Sequence, residues 1–402
     1  MITFLLAQTI AITGGTVYPV SGPKIEHATV LIRDGRIAAV GTGVSIPPDA
    51  TRVDATGQWV TPGFIDGGGQ MGLVEIGAVG GTREGSIQGD TIAAAFNVAE
   101  GLNPASQLIP VTRVEGITTT LASPSGHLVS GQAVLIDLDG TTIEQMLVKT
   151  PVAMVADLSE GGKDEGGGSR AAMSHRLRAV FRDALEYERR RIDFSRGQTE
   201  PLAASEADLE ALLPVLHGQI PLIAIANRRS DIETALRIAR DFRLRLVLAG
   251  AQEAWQIAAE IAAAGVPVLV EPLDNIPSYD ALGVRYENAA TLARAGAKVV
   301  LLENDTHNSR NLRQEAGNAV SYGLPWDQAL RAVTLSPAEV FGVADRYGSI
   351  EVGKVANVVV WSGDPFEFST GVQHVYIRGR EIPLTSRQTE LFERYRHLPP
   401  AY

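Results

Sequence analysis

Four residues combine a reactive side chain with a place where chemistry can be run: His127, Glu271, Asp305 and His307. Each follows a short apolar run. Ile117 to Ala122 leads into Ser123-Pro124-Ser125-Gly126-His127, Val266 to Val270 into Glu271, and Ala297 to Leu302 into Glu303-Asn304-Asp305-Thr306-His307. In a parallel βα array the reacting groups sit on strand C-terminal ends and the loops after them. Two chemistries suit such a set. A metal centre rebuilt from these four side chains needs about three protein ligands with one position left for water. A two-carboxylate mechanism would use Asp66 and Asp305, with their separation deciding the outcome. Asp66 reads more simply as a polar anchor. Asp305 reads either as a ligand-binding group or as a residue held by the backbone or by Asn304. Nucleophilic catalysis has little to build on: there is no cysteine and no Gly-x-Ser-x-Gly elbow, and Ser125 and His127, two residues apart on a loop, do not make a pair.

The elements that must position these groups are legible as periodicity. From residue 9 to about 58, short alternating runs are separated by turn signals, including Asp34-Gly35 between Ala28 to Ile32 and Arg36 to Val40, a strong hairpin signal. The same texture returns at Ala356 to Trp361 and His374 to Arg380. From about 60 to 344, apolar strands alternate with helical periodicity, the pattern of a parallel βα array. The fold expected is α/β: a (β/α)8 TIM-like barrel over 61–344 and a small β-sandwich built from both ends, 1–60 plus 345–385, followed by a C-terminal tail, 386–402. A doubly wound open sheet is the runner-up. Within the barrel, Leu177, Val180, Phe181, Ala184 and Leu185 share one face of a long helix ending in Arg189-Arg190-Arg191. Ser230 with Glu233 reads as a capping box. The glycines at 161, 162 and 166–168 read as a flexible loop with no phosphate-binding spacing. Tyr279 and Tyr286, in the long segment after Glu271, read as part of a lid.

Composition narrows the function classes. The chain has 402 residues, 45% hydrophobic and 20% charged, with a formal charge of −11. That charge argues against nucleic acid or anionic membrane as partners, and no apolar run approaches the roughly 20 residues of a membrane span. The absence of cysteine removes disulfides and thiolate-held zinc. Ile2 to Gln8 reads either as the tail of a signal peptide, hence an exported or periplasmic protein, or as a first strand of a cytoplasmic one.

The stretch Thr61-Pro62-Gly63-Phe64-Ile65-Asp66-Gly67-Gly68-Gly69-Gln70 resembles the signature of the metal-dependent amidohydrolase superfamily, and most closely its imidazolonepropionase-like and dipeptidase-like members. So do Gly348-Ser349-Ile350-Glu351-Val352-Gly353-Lys354, where the family usually follows with Asp at the place of Asn357, and the helices after Leu324-Pro325. The resemblance implies a barrel enzyme that hydrolyses C–N bonds of amides, cyclic amides or dipeptides with zinc or another divalent metal. It also places the metal ligands. The His-x-His pair aligns with Gly68 and Gln70, the His of a His-Ala-Asn phrase with Ile225 before Ala226-Asn227, and the His of a His-Gly-x-Glu phrase with Ala249. Only the metal-binding, proton-accepting Asp of the last strand is kept, as Asp305. The expectation is therefore a metal-free, catalytically silent homologue that binds a small molecule or partners an active relative, as a homo-oligomer or a complex. Its pocket candidates are Gln70, His127, Asn227, Glu271 and His307. The alternative is a hydrolase with an unconventional site around Asp305.

Overall fold

Asp34 and Gly35 both take positive φ, 51° and 73°, and turn the chain between two antiparallel strands as their types predict. The computed structural model describes residues 9–195 and 202–397; the stretch from Ile2 to Gln8 lies outside them. Five strands come first: β1 (Thr9–Val17), β2 (Ile25–Arg33), β3 (Arg36–Gly41), β4 (Thr51–Asp54) and β5 (Trp59–Pro62). Eight follow in the middle of the chain: β6 (Phe64–Asp66), β7 (Ile117–Ala122), β8 (Val129–Asp137), β9 (Leu147–Asp157), β10 (Leu222–Ala226), β11 (Leu246–Gly250), β12 (Val268–Val270) and β13 (Val299–Leu301). Three close it: β14 (Val358–Trp361), β15 (Val372–Ile377) and β16 (Arg380–Ile382).

The two ends form one hydrogen-bonded sheet in the order β16-β15-β14-β5-β1-β2-β3, with β4 paired to β1. Its joint is the antiparallel pair β5–β14, which sets Val60 opposite Val360, and the Trp361 indole donates to Thr61 Oγ1 at 2.8 Å. The middle strands form the barrel wall in the order β13-β12-β11-β10-β9-β8-β7-β6. Its interior is packed with Ile65, Leu121, Leu135, Val155, Ile223, Val247, Leu269 and Val300, and helices cover the outside. Between the end strands β13 and β6, Asp66 makes the link: its Oδ1 accepts from Glu303 N at 3.1 Å and Gly68 N at 3.3 Å.

The wall departs from all-parallel order at β8, which runs antiparallel to β7 and β9. Only six residues separate β7 from β8, and a parallel crossover needs a dozen or more. A hairpin is the connection that such a length allows. Elsewhere the periodicity reads through. The helix Arg170–Arg189 buries Leu177, Val180, Phe181 and Ala184, and its basic end pairs Arg189 with Glu186 and Arg191 with Glu210. Other local signals were overridden. The helix Arg229–Phe242 starts one residue before Ser230, and Glu253 Oε2 takes the Arg229 N–H at 3.0 Å in place of a local cap. Gly161 and Gly162 lie in a helix, Glu160–Glu165. The expected tail contains the helix Arg387–Tyr395, capped by Ser386 and Thr389.

Among the described residues, no helix is long and apolar enough to cross a membrane.

Candidate ligand site at the barrel mouth

The C-terminal strand ends surround a cavity of about 320 Å³, at the small end of the range for ligand pockets. Its floor is hydrocarbon: Leu121, Val155, Ile223, Ile225, Ala249, Leu269 and Leu302. Its rim is polar, with the amides of Gln70, Asn227, Gln252 and Asn304, the hydroxyls of Ser123 and Ser125, and the carboxylates of Glu271 and Asp274. Among the described residues, no Lys, Arg or His lines it.

Three of the expected pocket residues meet here: Gln70, Asn227 and Glu271. Gln70 Nε2 donates to Ser125 Oγ at 3.0 Å, which fixes its amide against the β7–β8 connection. Asn227 Nδ2 donates to Asp280 Oδ2 at 3.3 Å. The other candidates stand apart. His127 is buried beside Ile87, whose carbonyl lies 2.7 Å from its Nε2, and Glu165 Oε2 is 3.7 Å from its Nδ1. Asp305 and His307 line a neighbouring cavity of about 260 Å³ together with Arg83 and Ser86. Asp305 caps its own turn, accepting from His307 N at 3.0 Å and Asn308 Nδ2 at 2.8 Å, while His307 Nε2 accepts from Gly77 N at 3.3 Å. The two cavities share Gln70, Ser125 and Asn304 as a common wall.

The segment between Glu271 and Glu287 overhangs the mouth and is tied down at several points. Arg170 Nη2 reaches Asp280 Oδ1 at 2.7 Å, Gln252 Nε2 reaches Asp274 Oδ2 at 2.6 Å, and Gly283 N reaches Glu253 Oε1 at 2.8 Å. Arg285 stacks on Trp255 at 3.8 Å. Tyr279 is exposed and Tyr286 stacks on Tyr322 at 4.5 Å. Neither tyrosine lines the mouth cavity.

Two glutamates absent from the sequence-based candidates complete the site. Glu303 and Glu315 are buried behind Glu271. Burial, together with the neighbouring Glu303 and Asp274 carboxylates, pushes Glu315 up to about 8. Burial also raises Glu271 and Glu303, each helped by nearby carboxylates, and raises Asp66. Glu303 directly follows a strand and carried a positional signal. Glu315 sits in a helix far along the chain and carried none.

Residues 245–382 match the Amidohydrolase family. A crystal structure of an amidohydrolase from Thermotoga maritima MSB8 superimposes with a TM-score of 0.85 at 29% identity, covering 94% of this chain and 100% of that one. The chain belongs to the amidohydrolase superfamily. The imidazolonepropionase of Symbiobacterium thermophilum is 25% identical over 440 residues, 93% of this chain and 95% of its own length. The amidohydrolase tasK of Hapsidospora irregularis is 24% identical over 385 residues, 87% of this chain; the chain spans only 39% of that relative's length.

Amidohydrolases of this superfamily are typically metal-dependent, and the fit of such a metal can be tested on the mouth. A side chain at 68 would enter space that Leu302 fills: a β-carbon there lies 3.2 Å from Leu302 Cδ2, and one at Gly67 lies 2.7 Å from Val300 Cγ1. The strand ends at 225 and 249 offer an isoleucine and an alanine. Among the described residues no imidazole lines the cavity, so a histidine-held metal does not fit this mouth. Returning the missing ring makes the point measurable: Gly68→His is expected to destabilise by about 1–3 kcal/mol through overpacking against Leu302, read as a lowered urea midpoint.

Proposed function

We propose that this amidohydrolase-superfamily chain binds a small molecule at the barrel mouth and has left metal-dependent hydrolysis behind. The observation that carries the reading is the hydrocarbon floor formed by Ile225, Ala249 and Leu302, where polar ligands to a catalytic metal would have to converge. A surface of that kind holds ions poorly and apolar groups well. The ligand that suits it has an apolar body and hydrogen-bonding groups that meet the ring of amides and hydroxyls. It is neutral or cationic, because the ionisable side chains on the rim, among the described residues, are the acids Glu271 and Asp274.

The competing reading, hydrolysis centred on Asp305, lacks comparable support. Both oxygens of that carboxylate are engaged in its own turn, and the residue opens onto the smaller cavity.

The test pairs turnover with binding. Purified protein, with zinc or manganese supplied, is offered N-acyl amino acids, cyclic amides and dipeptides, and a fragment set is screened in parallel by ligand-observed NMR. The expected result is no turnover above background and at least one neutral or cationic fragment whose binding disappears in Ala249→Phe, which fills the floor. Metal-dependent turnover that is lost in Asp305→Ala would overturn the proposal and restore the hydrolase reading.

A further inference from the structure

Where β12 and β13 end, three glutamates from distant parts of the chain converge. One oxygen each of Glu271, Glu303 and Glu315 lies within 4.8 Å of the other two. Two oxygens bound to one cation at about 2.4 Å can be at most about 4.8 Å apart, so the spacing suits a shared ion of the calcium class. Glu271 faces the mouth cavity and supplies an entry path. Glu303 and Glu315 are 6% and 0% exposed.

The trio is held from outside itself. Glu315 Oε2 accepts from Leu273 N at 2.8 Å, Glu303 Oε1 from Asp305 N at 3.1 Å, and Asp66 anchors the Glu303 backbone. Two oxygens in this region are fully buried and have no hydrogen-bond partner, Glu315 Oε1 and Asp66 Oδ2. Among the described residues, no Lys, Arg or His forms an ion pair with Glu271, Glu303, Glu315 or Asp66; Arg313, on the helix that carries Glu315, pairs with Glu115. A buried carboxylate without a counter-charge is costly, and folded proteins resolve it by keeping the group protonated, by pairing the charge or by coordinating a cation.

We propose that Glu271, Glu303 and Glu315 form a binding site for a divalent cation of the oxygen-preferring class, calcium, magnesium or manganese. The donor set is all carboxylate oxygen, which favours these ions over zinc. The cation ties together the ends of β12 and β13, the overhanging segment through Leu273, and the helix Leu312–Ser321 that carries Glu315. It sits in the wall of the mouth, behind Glu271. This site shares Glu271 with the ligand-binding reading above but does not rest on it, since Glu303 and Glu315 lie behind the mouth and the occupant is a different one.

The test uses the full chain, stripped with chelator and exchanged into chelator-free buffer. Manganese is titrated while its free signal is followed by electron paramagnetic resonance, with calcium and magnesium as competitors and melting temperature as a second readout. One manganese per chain should leave the free signal, calcium or magnesium should compete, and the melting temperature should rise by a few degrees. Glu315→Gln should weaken manganese binding at least about tenfold without lowering the melting temperature of the cation-free protein, because it removes an unpaired buried acid. Glu303→Gln serves as the second variant. Manganese that stays free at about 100 µM protein and metal would overturn the site and leave the glutamates sharing protons. Binding that both variants retain at wild-type strength would overturn it equally.

Discussion

Replacing Asp137 by alanine is expected to remove about 3–5 kcal/mol of unfolding free energy. The carboxylate is fully buried at the end of β8 and gathers four donors: Thr119 Oγ1 at 2.8 Å, Asn357 Nδ2 at 3.0 Å, Tyr347 Oη at 3.0 Å and Arg378 Nε at 2.6 Å. Thr119 belongs to the barrel wall, while Asn357 and Arg378 flank the terminal sheet, so one side chain fastens the two sheets together. Alanine would leave a guanidinium, an amide and a phenol without their acceptor, which costs more than the bonds themselves return when intact. Tyr347→Phe removes one neutral donor and should cost about 1 kcal/mol. Urea unfolding followed by circular dichroism measures both; an Asp137→Ala value close to that of Tyr347→Phe would show that the cluster does not join the sheets. The same cluster explains why Asn stands at 357, where the resemblance leads one to expect Asp. Its Nδ2 donates to Asp137 and its Oδ1 accepts from Arg378 N at 2.8 Å. An aspartate there would set a second carboxylate against the first.

Gly162→Ala is the second large effect, at about 3 kcal/mol, the upper end of the usual range for overpacking. A β-carbon at 162 would lie 1.7 Å from the Asp157 carbonyl oxygen, and a backbone carbonyl cannot step aside as a side chain can. The helix Glu160–Glu165 would have to lift away from β9. That helix helps to hold the overhanging segment, because Glu160 N donates to Asp280 Oδ2 at 3.3 Å and Glu160 Oε2 pairs with Arg170 at 3.2 Å. Hydrogen exchange by mass spectrometry should therefore speed up in residues 272–287 as well as around the mutation. Unchanged exchange in that segment would mean that the other ties suffice.

These two residues show what a sequence can and cannot say. Gly162 carries the signal of a loop, since glycine disfavours helix by about 1 kcal/mol relative to alanine. Its actual reason is close approach to another strand, which is a property of packing. The Asp34-Gly35 turn and the buried face of Arg170–Arg189 were legible because their causes are local: backbone conformation in one, a repeat of 3.6 residues in the other. The reversed strand β8 was not, because Gly131 interrupts its apolar pattern and takes φ of 125° where the chain passes Phe96. At the mouth, the structure brings Gln70, Asn227 and Glu271 to one cavity, each of them just after a strand. Asp305 and His307 follow a strand equally well, but the turn that Asp305 caps carries both to the neighbouring cavity. Leu302 filling the space beside Gly68, and Glu315 arriving from a helix, are long-range facts with no local trace.

The joint between β5 and β14 has a further consequence for how the chain comes into being. Thr61 and Trp361, which meet across it, are separated by 300 residues. At ordinary rates of synthesis, about 5–20 residues per second, the second partner leaves the ribosome about 15–60 s after the first. Throughout that interval the edge of β5 has no neighbour on the side that β14 will take, and an open strand edge is a template for pairing with the wrong chain. The nascent protein must therefore raise its barrel while the first sheet waits unfinished.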